Sequence, residues 1–310
     1  MGLMKGLELC EKYFVEFGVD MIEKKFPHYK NRIAAGLLGD GSECYGFDDE
    51  ISKDHDWGPG FCLFLTRHDF EEIGRALQLE YDKLPKIFRG FQRLTSQWGD
   101  GRVGVIEIGA YYRRYLGSSQ APKILQQWLS IPEEYLSACI SGKVFSDPLR
   151  KFSRIRDELL NFYPEDVRLV KISAKCMSCG QSGQYNFMRT VQRREMFAAQ
   201  YVETKFCSDI ISLVFLLNHQ YTPYFKWKHR AVRALPILGE FIYSKIADIV
   251  SNSDPKAKNA IMNEISSKVI NMFRKEGLSN LDSNFLLDHG PVIHQKIKDS
   301  DLRKRNVWAG

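Results

Sequence analysis

The most informative segment of the chain is GLLGDGSECYGFDDEISKDHDWGPG, which runs from Gly36 to Gly60. The apolar residues 33–38 predict a short buried strand, and Gly41 and Ser42 follow shortly after it. Glycine lets the backbone approach a bound group closely. A serine here can cap the next helix while its hydroxyl and the neighbouring N–H groups face an anion. The turn is therefore a candidate phosphate contact.

Two aspartates, Asp54 and Asp56, stand two residues apart where a second strand, predicted over residues 56–65, begins. Residues i and i+2 of a strand point to the same face, with their Cα atoms ~6.6 Å apart. The two carboxylates can thus converge on one or two hard cations, and Mg²⁺ prefers oxygen ligands that it shares with substrate phosphates. Two metals ~3.5–4 Å apart stabilise the attacking and leaving oxygens of an in-line displacement.

Glu107 lies about fifty residues further on, inside a third strand predicted over residues 102–110. From a neighbouring strand it can supply the third carboxylate, either as a metal ligand or as the general base for an acceptor hydroxyl. Each motif alone also fits an ordinary turn or a solvated strand end. The ordered combination favours nucleotidyl transfer, because that chemistry is mainly positioning and charge neutralisation.

Composition and charge exclude several classes of protein. The chain has 310 residues, of which 44% are hydrophobic, so disordered, collagen-like and low-complexity classes are ruled out. Because no apolar run approaches the ~20 residues of a membrane span and no secretory leader is visible, we expect a cytoplasmic protein without a membrane partner. The net charge of +6 suits an anionic nucleotide without indicating double-stranded DNA readout, and the seven cysteines favour reduced thiols.

The periodicity of apolar residues changes near residue 118. Before it, predicted strands alternate with helices, whereas after it helical patterns dominate, several of them with proline near the start. We therefore predict an α+β fold. Residues 1–118 would form a domain with a mixed β-sheet and helices, and residues 119–310 an all-α helical-bundle domain.

The order of a Gly-Ser, a D-x-D and a later carboxylate resembles the nucleotidyltransferase superfamily, the DNA polymerase beta-like fold. Residues 41–59 are more closely similar to an uncharacterised bacterial family of that superfamily, which carries G-S-E and then G-F-D-D-E-I-S-x-D-H-D-W-G-P. Four later stretches also resemble that family: residues 128–132, 142–147, 163–167 and 221–227. Its more distant relatives include the kanamycin nucleotidyltransferase group, which also pairs a catalytic α/β domain with a helical one.

The resemblance implies a magnesium-dependent nucleotidyltransferase with its catalytic domain in residues 1–118. Such an enzyme transfers a nucleoside monophosphate from ATP or another nucleoside triphosphate to an acceptor hydroxyl and releases pyrophosphate. The resemblance implies two Mg²⁺ ions at Asp54 and Asp56, with Glu107 as the base or third ligand. It also implies that Gly41 and Ser42 hold the triphosphate.

In related enzymes a lysine of the helical domain reaches the triphosphate, and Lys226 is the candidate here. The alternative for Lys226 is a surface lysine whose stem packs on Trp227. The acceptor stays open between a small molecule, an RNA and a protein. Two other functions also stay open: a non-catalytic nucleotide-binding sensor or interaction module, and a toxin-like enzyme that modifies tRNA or protein.

Overall fold

The computed structural model describes residues 4–53, 56–93 and 101–310. The chain divides into two compact units, the first made of Met1–Lys123 and Tyr135–Asn161 and the second of Ile124–Glu134 and Phe162–Gly310. The domain boundary at residues 118/119 stays a prediction. Along the chain, however, the segment Ile124–Glu134 belongs to the second unit, whereas the next segment, Tyr135–Asn161, belongs to the first.

The described residues form six strands, which in chain order are β1 (Ala34–Leu37), β2 (Cys62–Leu65), β3 (Ile87–Phe88), β4 (Phe91–Gln92), β5 (Gly104–Glu107) and β6 (Lys143–Ser146). Four of them make one mixed sheet in the order β5-β2-β1-β6, and β3 pairs with β4 in a separate hairpin. Strand β1 is antiparallel to β2 and β6, whereas β2 and β5 are parallel. The end of β1 and the starts of β2 and β5 therefore share one edge of the sheet.

Helices make up most of the remaining structure: α1 (Gly6–Tyr13), α2 (Val19–Lys25), α3 (Arg67–Asp82), α4 (Ile108–Leu116), α5 (Leu125–Ser130), α6 (Glu133–Ile140), α7 (Lys151–Leu160), α8 (Glu165–Cys179), α9 (Phe187–Gln192), α10 (Met196–Leu217), α11 (Phe225–Val232), α12 (Gly239–Ser251), α13 (Pro255–Lys275), α14 (Leu286–His294) and α15 (Ser300–Arg303). A π-helical turn, Phe14–Gly18, joins α1 to α2, and another, Gly180–Asn186, joins α8 to α9. None of the helices in the described ranges combines the length and apolar character that a membrane crossing requires.

The core of the first unit forms between the sheet and the helices α1 to α3. Leu63 and Leu65 of β2 are fully buried against side chains of α1 and α3. The ring of Phe61, just before β2, contacts Tyr13 and Phe14 at centroid distances of 5.6 and 5.2 Å. Such aromatic and aliphatic contacts stabilise the helix–sheet packing mainly by removing apolar surface from water.

The core of the second unit forms around α8, α10 and α14. Helix α8 is buried along most of its length, and four apolar residues of α10 face the same core: Phe206, Ile210, Val214 and Leu217. Two glycines permit the close approach of α14. A Cβ on Gly180 would lie 2.6 Å from the Leu287 nitrogen, and one on Gly290 would lie 2.5 Å from the Met177 sulfur.

The α+β class and the mixed sheet are confirmed, but two details differ from the sequence analysis. An all-α reading of everything after residue 118 is wrong, because Lys143–Ser146 forms β6 and pairs with β1. The strand predicted over residues 56–65 is also wrong at its start, since β2 begins only at Cys62. Asp56 and Gly58 adopt positive φ angles of 54° and 123°, and Pro59 has no N–H for a strand ladder.

The seven cysteines are all buried thiols. Burial raises the pKa of Cys10, Cys62 and Cys207 to about 12. Because the thiolate is the reactive form, we expect the native protein to react with Ellman's reagent at pH 8 on the order of a hundredfold more slowly than the denatured protein. Absorbance at 412 nm measures both rates, and a native burst of one or more thiol equivalents would contradict this expectation.

Candidate functional site

The first part of the candidate site is the turn after β1. Gly41 occupies the N-cap position of a short 3₁₀ helix, Ser42–Tyr45, and no side chain caps that helix. The expectation that Ser42 caps the next helix is therefore wrong, because Ser42 is already the first residue of that helix. Its side chain is half-buried and, among the described residues, its hydroxyl has no hydrogen-bond partner.

The second part is a group of carboxylates around Arg102, just before β5. The guanidinium nitrogens of Arg102 lie 3.8 Å from Asp40 Oδ1, 3.9 Å from Glu43 Oε1 and 4.0 Å from Asp56 Oδ2. Glu43 and Asp56 are buried, whereas Asp40 is exposed. Burial by itself would lower the pKa of Arg102, but the nearby carboxylates, with Glu43 and Asp40 foremost, raise it overall.

Gly41 leaves the space that this charge cluster occupies. A Cβ at Gly41 would lie 2.6 Å from both carboxylate oxygens of Glu43, and it would also collide with Nη2 of Arg102. No bulkier residue fits here unless one of these side chains moves. This contact links the Gly-Ser turn to the carboxylates.

Asp56 is held in place through its backbone. Its carbonyl accepts a hydrogen bond of 2.8 Å from Arg93 Nη1. A Cβ on Gly58 would lie 2.9 Å from the Arg93 backbone, and one on Gly60 would lie 2.9 Å from Arg93 Nε. The glycines of the W-G-P-G string therefore make room for Arg93, and Arg93 fixes the strained turn that carries Asp56.

Asp48 connects the acidic run 48–50 to the first helix and has a structural role. Its carboxylate is buried and accepts hydrogen bonds from Gly6 N at 2.7 Å and from Trp57 Nε1 at 3.1 Å. The Lys5 ammonium lies 3.5 Å from the other carboxylate oxygen. Asp49, the next residue, is exposed and accepts from the backbone of Ile51 in a local turn.

Glu107 does not join Asp56. It is the last residue of β5 and the N-cap of α4, where Oε1 accepts from Gly109 N at 2.7 Å and Oε2 from Arg113 Nη2 at 2.7 Å. Because β2 and β5 are parallel, with Leu65 opposite Glu107, Glu107 lies at the end of both strands while Asp56 precedes their start. At the rise per residue of a β-strand, the start and the end of these four-residue strands are about 10 Å apart. The expected convergence of Glu107 on Asp56 is therefore not observed.

Two candidate residues remain, Asp54 and Lys226. Asp54 lies outside the described residues. Lys226 is exposed near the start of α11, with its Nζ 4.9 Å from the centroid of the Trp227 ring. This arrangement matches the alternative of a surface lysine packed on Trp227, and contact with a triphosphate stays a prediction.

One other group, His68, Asp69 and Glu72, brings three ligand-type side chains together in the part of the chain that the structure describes. Asp69 is fully buried, but Arg32 already pairs with its carboxylate and Thr66 donates to it at 2.9 Å. The other two side chains are exposed on the first two turns of α3. The group is accounted for by the N-terminal cap of that helix.

No motif in the sequence pointed to Arg102, Arg93 or the structural role of Asp48. Glu43 was noticeable only as part of the G-S-E string. Arg102 lies in no recognisable motif. Its position beside the carboxylates depends on the strand pairing, which brings the start of β5 next to the turn after β1. The buried partners of Asp48 are equally long-range, since Gly6 stands far from it in sequence.

Comparison with known proteins adds three findings. A family model described as a domain of unknown function (DUF4037) matches residues 128–228, which is less than half of the chain but includes the four later stretches noted in the sequence. No curated protein matches the chain. Among solved structures, the chain is similar to a nucleotidyltransferase-like protein from Exiguobacterium sibiricum, at 8% identity and a TM-score of 0.36, over 84% of this chain and 76% of that one.

We expect Asp48→Ala to lower the free energy of unfolding by about 2–4 kcal/mol, because it leaves the buried Gly6 N–H and Trp57 Nε1–H without their acceptor. The matched control is Asp49→Ala, whose exposed turn should contribute less than about 1 kcal/mol. Urea unfolding followed by tryptophan fluorescence measures both. Equal losses in the two variants would show that Asp48 has no special structural role.

Proposed function

We propose that this protein is a magnesium-dependent nucleotidyltransferase, which transfers a nucleoside monophosphate from a nucleoside triphosphate to an acceptor hydroxyl and releases pyrophosphate. One observation carries the proposal. Two buried carboxylates, Glu43 and Asp56, flank the Arg102 guanidinium beside the Gly41-Ser42 turn, at 3.9 and 4.0 Å from its nitrogens. Buried acids are costly unless a cation neutralises them, so they are seldom grouped around one guanidinium without a function.

The donor set fits a hard divalent cation. Its carboxylate oxygens lie 3.8–4.0 Å from the Arg102 nitrogens, beyond the usual limit of about 3.2 Å for a hydrogen bond. The guanidinium is therefore an ion-pair partner of these oxygens and not a hydrogen-bond donor to them. Glu43 and Asp56 would hold Mg²⁺, together with Asp54, which precedes Asp56 by two residues. The bound ion would neutralise the charge of the triphosphate and of the leaving pyrophosphate.

Two other groups of this edge suit a phosphate. The half-buried Ser42 hydroxyl is available to donate to a phosphate oxygen. Arg102 is itself a phosphate-binding type of side chain, because its planar fork of N–H groups matches two oxygens at once. With a cation on the carboxylates, Arg102 would be released from them to contact the triphosphate.

The third carboxylate in this proposal is Glu43 rather than Glu107. Glu43 lies within reach of the same guanidinium as Asp56, whereas Glu107 is engaged by Gly109 N–H and Arg113 at the other edge of the sheet. Glu107 is thus assigned to the start of α4, where a carboxylate also complements the helix dipole.

We expect Asp56→Asn and Glu43→Gln each to lower nucleotide-dependent pyrophosphate release by about a hundredfold or more, because each removes a charged ligand. Glu50→Gln, an exposed acid of the same string that pairs with Lys53, is the matched control and should stay within about twofold. Glu107→Gln tests whether Glu43 or Glu107 is the third carboxylate. A larger loss of pyrophosphate release in Glu107→Gln than in Glu43→Gln would reject the assignment of Glu43. Full activity of Asp56→Asn would reject the proposed nucleotidyltransferase mechanism.

The same assay separates the other functions. Calorimetry with ATP and Mg²⁺ that shows binding, without pyrophosphate release on any acceptor, would favour the nucleotide-binding sensor. Transfer from a labelled triphosphate in a cell lysate shows whether the label enters RNA, protein or a small molecule. Label in tRNA or protein would favour the toxin-like alternative.

We expect Gly41→Ala to lower activity at least tenfold while changing the melting temperature by only a few degrees. The added methyl group meets the flexible ends of the Glu43 and Arg102 side chains, so these side chains move instead of the backbone. Differential scanning fluorimetry and the pyrophosphate assay give the two values. Unchanged activity would mean that the turn and the carboxylates act independently.

A further inference from the structure

The corner between α9 and α10 exposes six consecutive residues, 192–197. Arg193 and Arg194 form the turn itself, and Met196 and Phe197 begin α10 with exposed fractions of 57% and 83%. A phenylalanine is most often buried, and exposed apolar side chains that lie together mark a binding surface more often than single ones do. The corner is therefore a candidate surface for a partner.

The helix period directs two aromatic rings of α10 away from the core. Ala199 is buried, and Phe197 and Tyr201 stand two positions before and after it. Because an α-helix has about 3.6 residues per turn, residues two positions apart point to roughly opposite sides. Phe197 and Tyr201 are four positions apart, so they lie on one face, a turn from each other. Tyr201 is 61% exposed, and the two rings therefore share one outward face.

The π-helical turn and α9 run back alongside α10. A Cβ on Gly183 would lie 2.3 Å from the ring of Phe206, so the turn packs directly on α10. From there the chain continues through α9 and reverses near Arg194, whose φ is 61°. Phe187 is buried on the inner side of α9, and Arg189, two positions further, is exposed. Residues 183–206 thus form a helical hairpin, the α9–α10 hairpin.

Three arginines of the hairpin have no ion-pair partner within the described ranges of the chain: Arg189, Arg193 and Arg194. The guanidinium carbon of Arg189 lies 4.7 Å from the centroid of the Tyr185 ring, and Tyr185 is itself 50% exposed. Of the two acids in the hairpin, Glu195 is exposed at the corner and Glu203 pairs with Lys258 at 2.9 Å. The exposed surface of the hairpin is therefore basic as well as aromatic.

We propose that the α9–α10 hairpin binds single-stranded RNA, through six exposed side chains: Tyr185, Arg189, Arg193, Arg194, Phe197 and Tyr201. Arginine forks match the oxygens of phosphate groups, and exposed rings stack on unpaired bases. Gln200 and Thr204 lie exposed on the same face of α10 as the two rings. Their amide and hydroxyl groups suit the ribose 2′-hydroxyl, which favours RNA over DNA.

Charge and polarity argue against two other occupants. In a two-fold dimer over this surface each patch would meet its own copy, so the unpaired arginines of both copies would face like charges. A membrane surface requires a continuous apolar helix face, whereas Gln200, Thr204 and Lys205 are exposed polar residues of α10. RNA complements both the rings and the guanidinium groups.

Fluorescence anisotropy with a labelled oligoadenylate of about twelve nucleotides, without Mg²⁺ or nucleotide and over a series of salt concentrations, tests the surface. We expect Phe197→Ala to weaken binding about fivefold or more at every salt concentration, because it removes a stacking ring. Arg193→Gln combined with Arg194→Gln should lower the slope of log K against log salt by about 1.4, because each phosphate contact contributes about 0.7 on a single strand.

Matched variants separate stacking from other contributions. Phe197→Tyr keeps the ring and should bind within about twofold of wild type, whereas Phe197→Leu keeps apolar area without a ring and should bind as weakly as Phe197→Ala. The charge-matched control is Lys304→Gln combined with Arg305→Gln, two exposed residues at the end of α15, which should stay within about twofold. Since all these side chains are exposed, the variants should melt within a few degrees of the wild type.

Several results would overturn the proposal. They are the absence of binding to wild-type protein at high micromolar concentration in low salt, wild-type affinity in Phe197→Leu, or an equal loss in the Lys304/Arg305 control. An oligodeoxyadenylate that binds as tightly would reject RNA as the preferred partner. If Phe197→Ala instead abolishes self-association in the ultracentrifuge, or binding to anionic phospholipid vesicles, while RNA is not bound, a second copy or a membrane is the partner.

The hairpin surface does not rest on the proposed function, because all its residues belong to the second unit and binding is measured without nucleotide. Asp56→Asn should bind the oligonucleotide like the wild type even where it has lost pyrophosphate release. Only the further step, that RNA is also the acceptor, rests on the proposed nucleotidyl transfer. A failure at Phe197 therefore leaves nucleotidyl transfer standing, and a failure at Asp56 leaves the RNA surface standing.

Discussion

The ion-pair cluster around Arg102 is the interaction on which the rest of the candidate site depends. Glu43 and Asp56 are buried, and buried carboxylates are costly unless a cation neutralises them. The Arg102 guanidinium supplies that positive charge from 3.9 and 4.0 Å. A divalent cation would neutralise these carboxylates in the same way. The need of this cluster for a positive charge is the basis of the proposed metal dependence.

The surrounding structure holds these acids in place with long-range contacts. Arg93 binds the carbonyl of Asp56, and Gly58 and Gly60 leave the space for it. Asp48 ties Trp57 to the start of α1. The D-H-D-W-G-P-G string is thus as much a packing motif as a chemical one. Within residues 56–60, Trp57 donates to the buried Asp48, and Gly58 and Gly60 make room for Arg93, which binds the Asp56 carbonyl.

The second unit shows a different electrostatic arrangement. There Asp209 pairs with two lysines, Lys175 and Lys205, and Glu133 lies 3.6 Å from Lys171. In the first unit one guanidinium lies between the buried acids Glu43 and Asp56.

The α+β class and several of the elements could be predicted from the sequence. The apolar periods predict the helices that dominate after residue 118 and the strands at residues 34–37 and 104–107, because periods of two and 3.6 follow from local geometry. The acidic string also predicted Asp56 and the Gly41-Ser42 turn as parts of the site. Which acids lie beside Arg102 depends on the tertiary structure. The parallel pairing of β2 with β5 separates Glu107 from Asp56, and it brings Arg102 to Glu43. Strand direction and register depend on contacts between distant residues, and no local pattern around Glu107 or Arg102 encodes them.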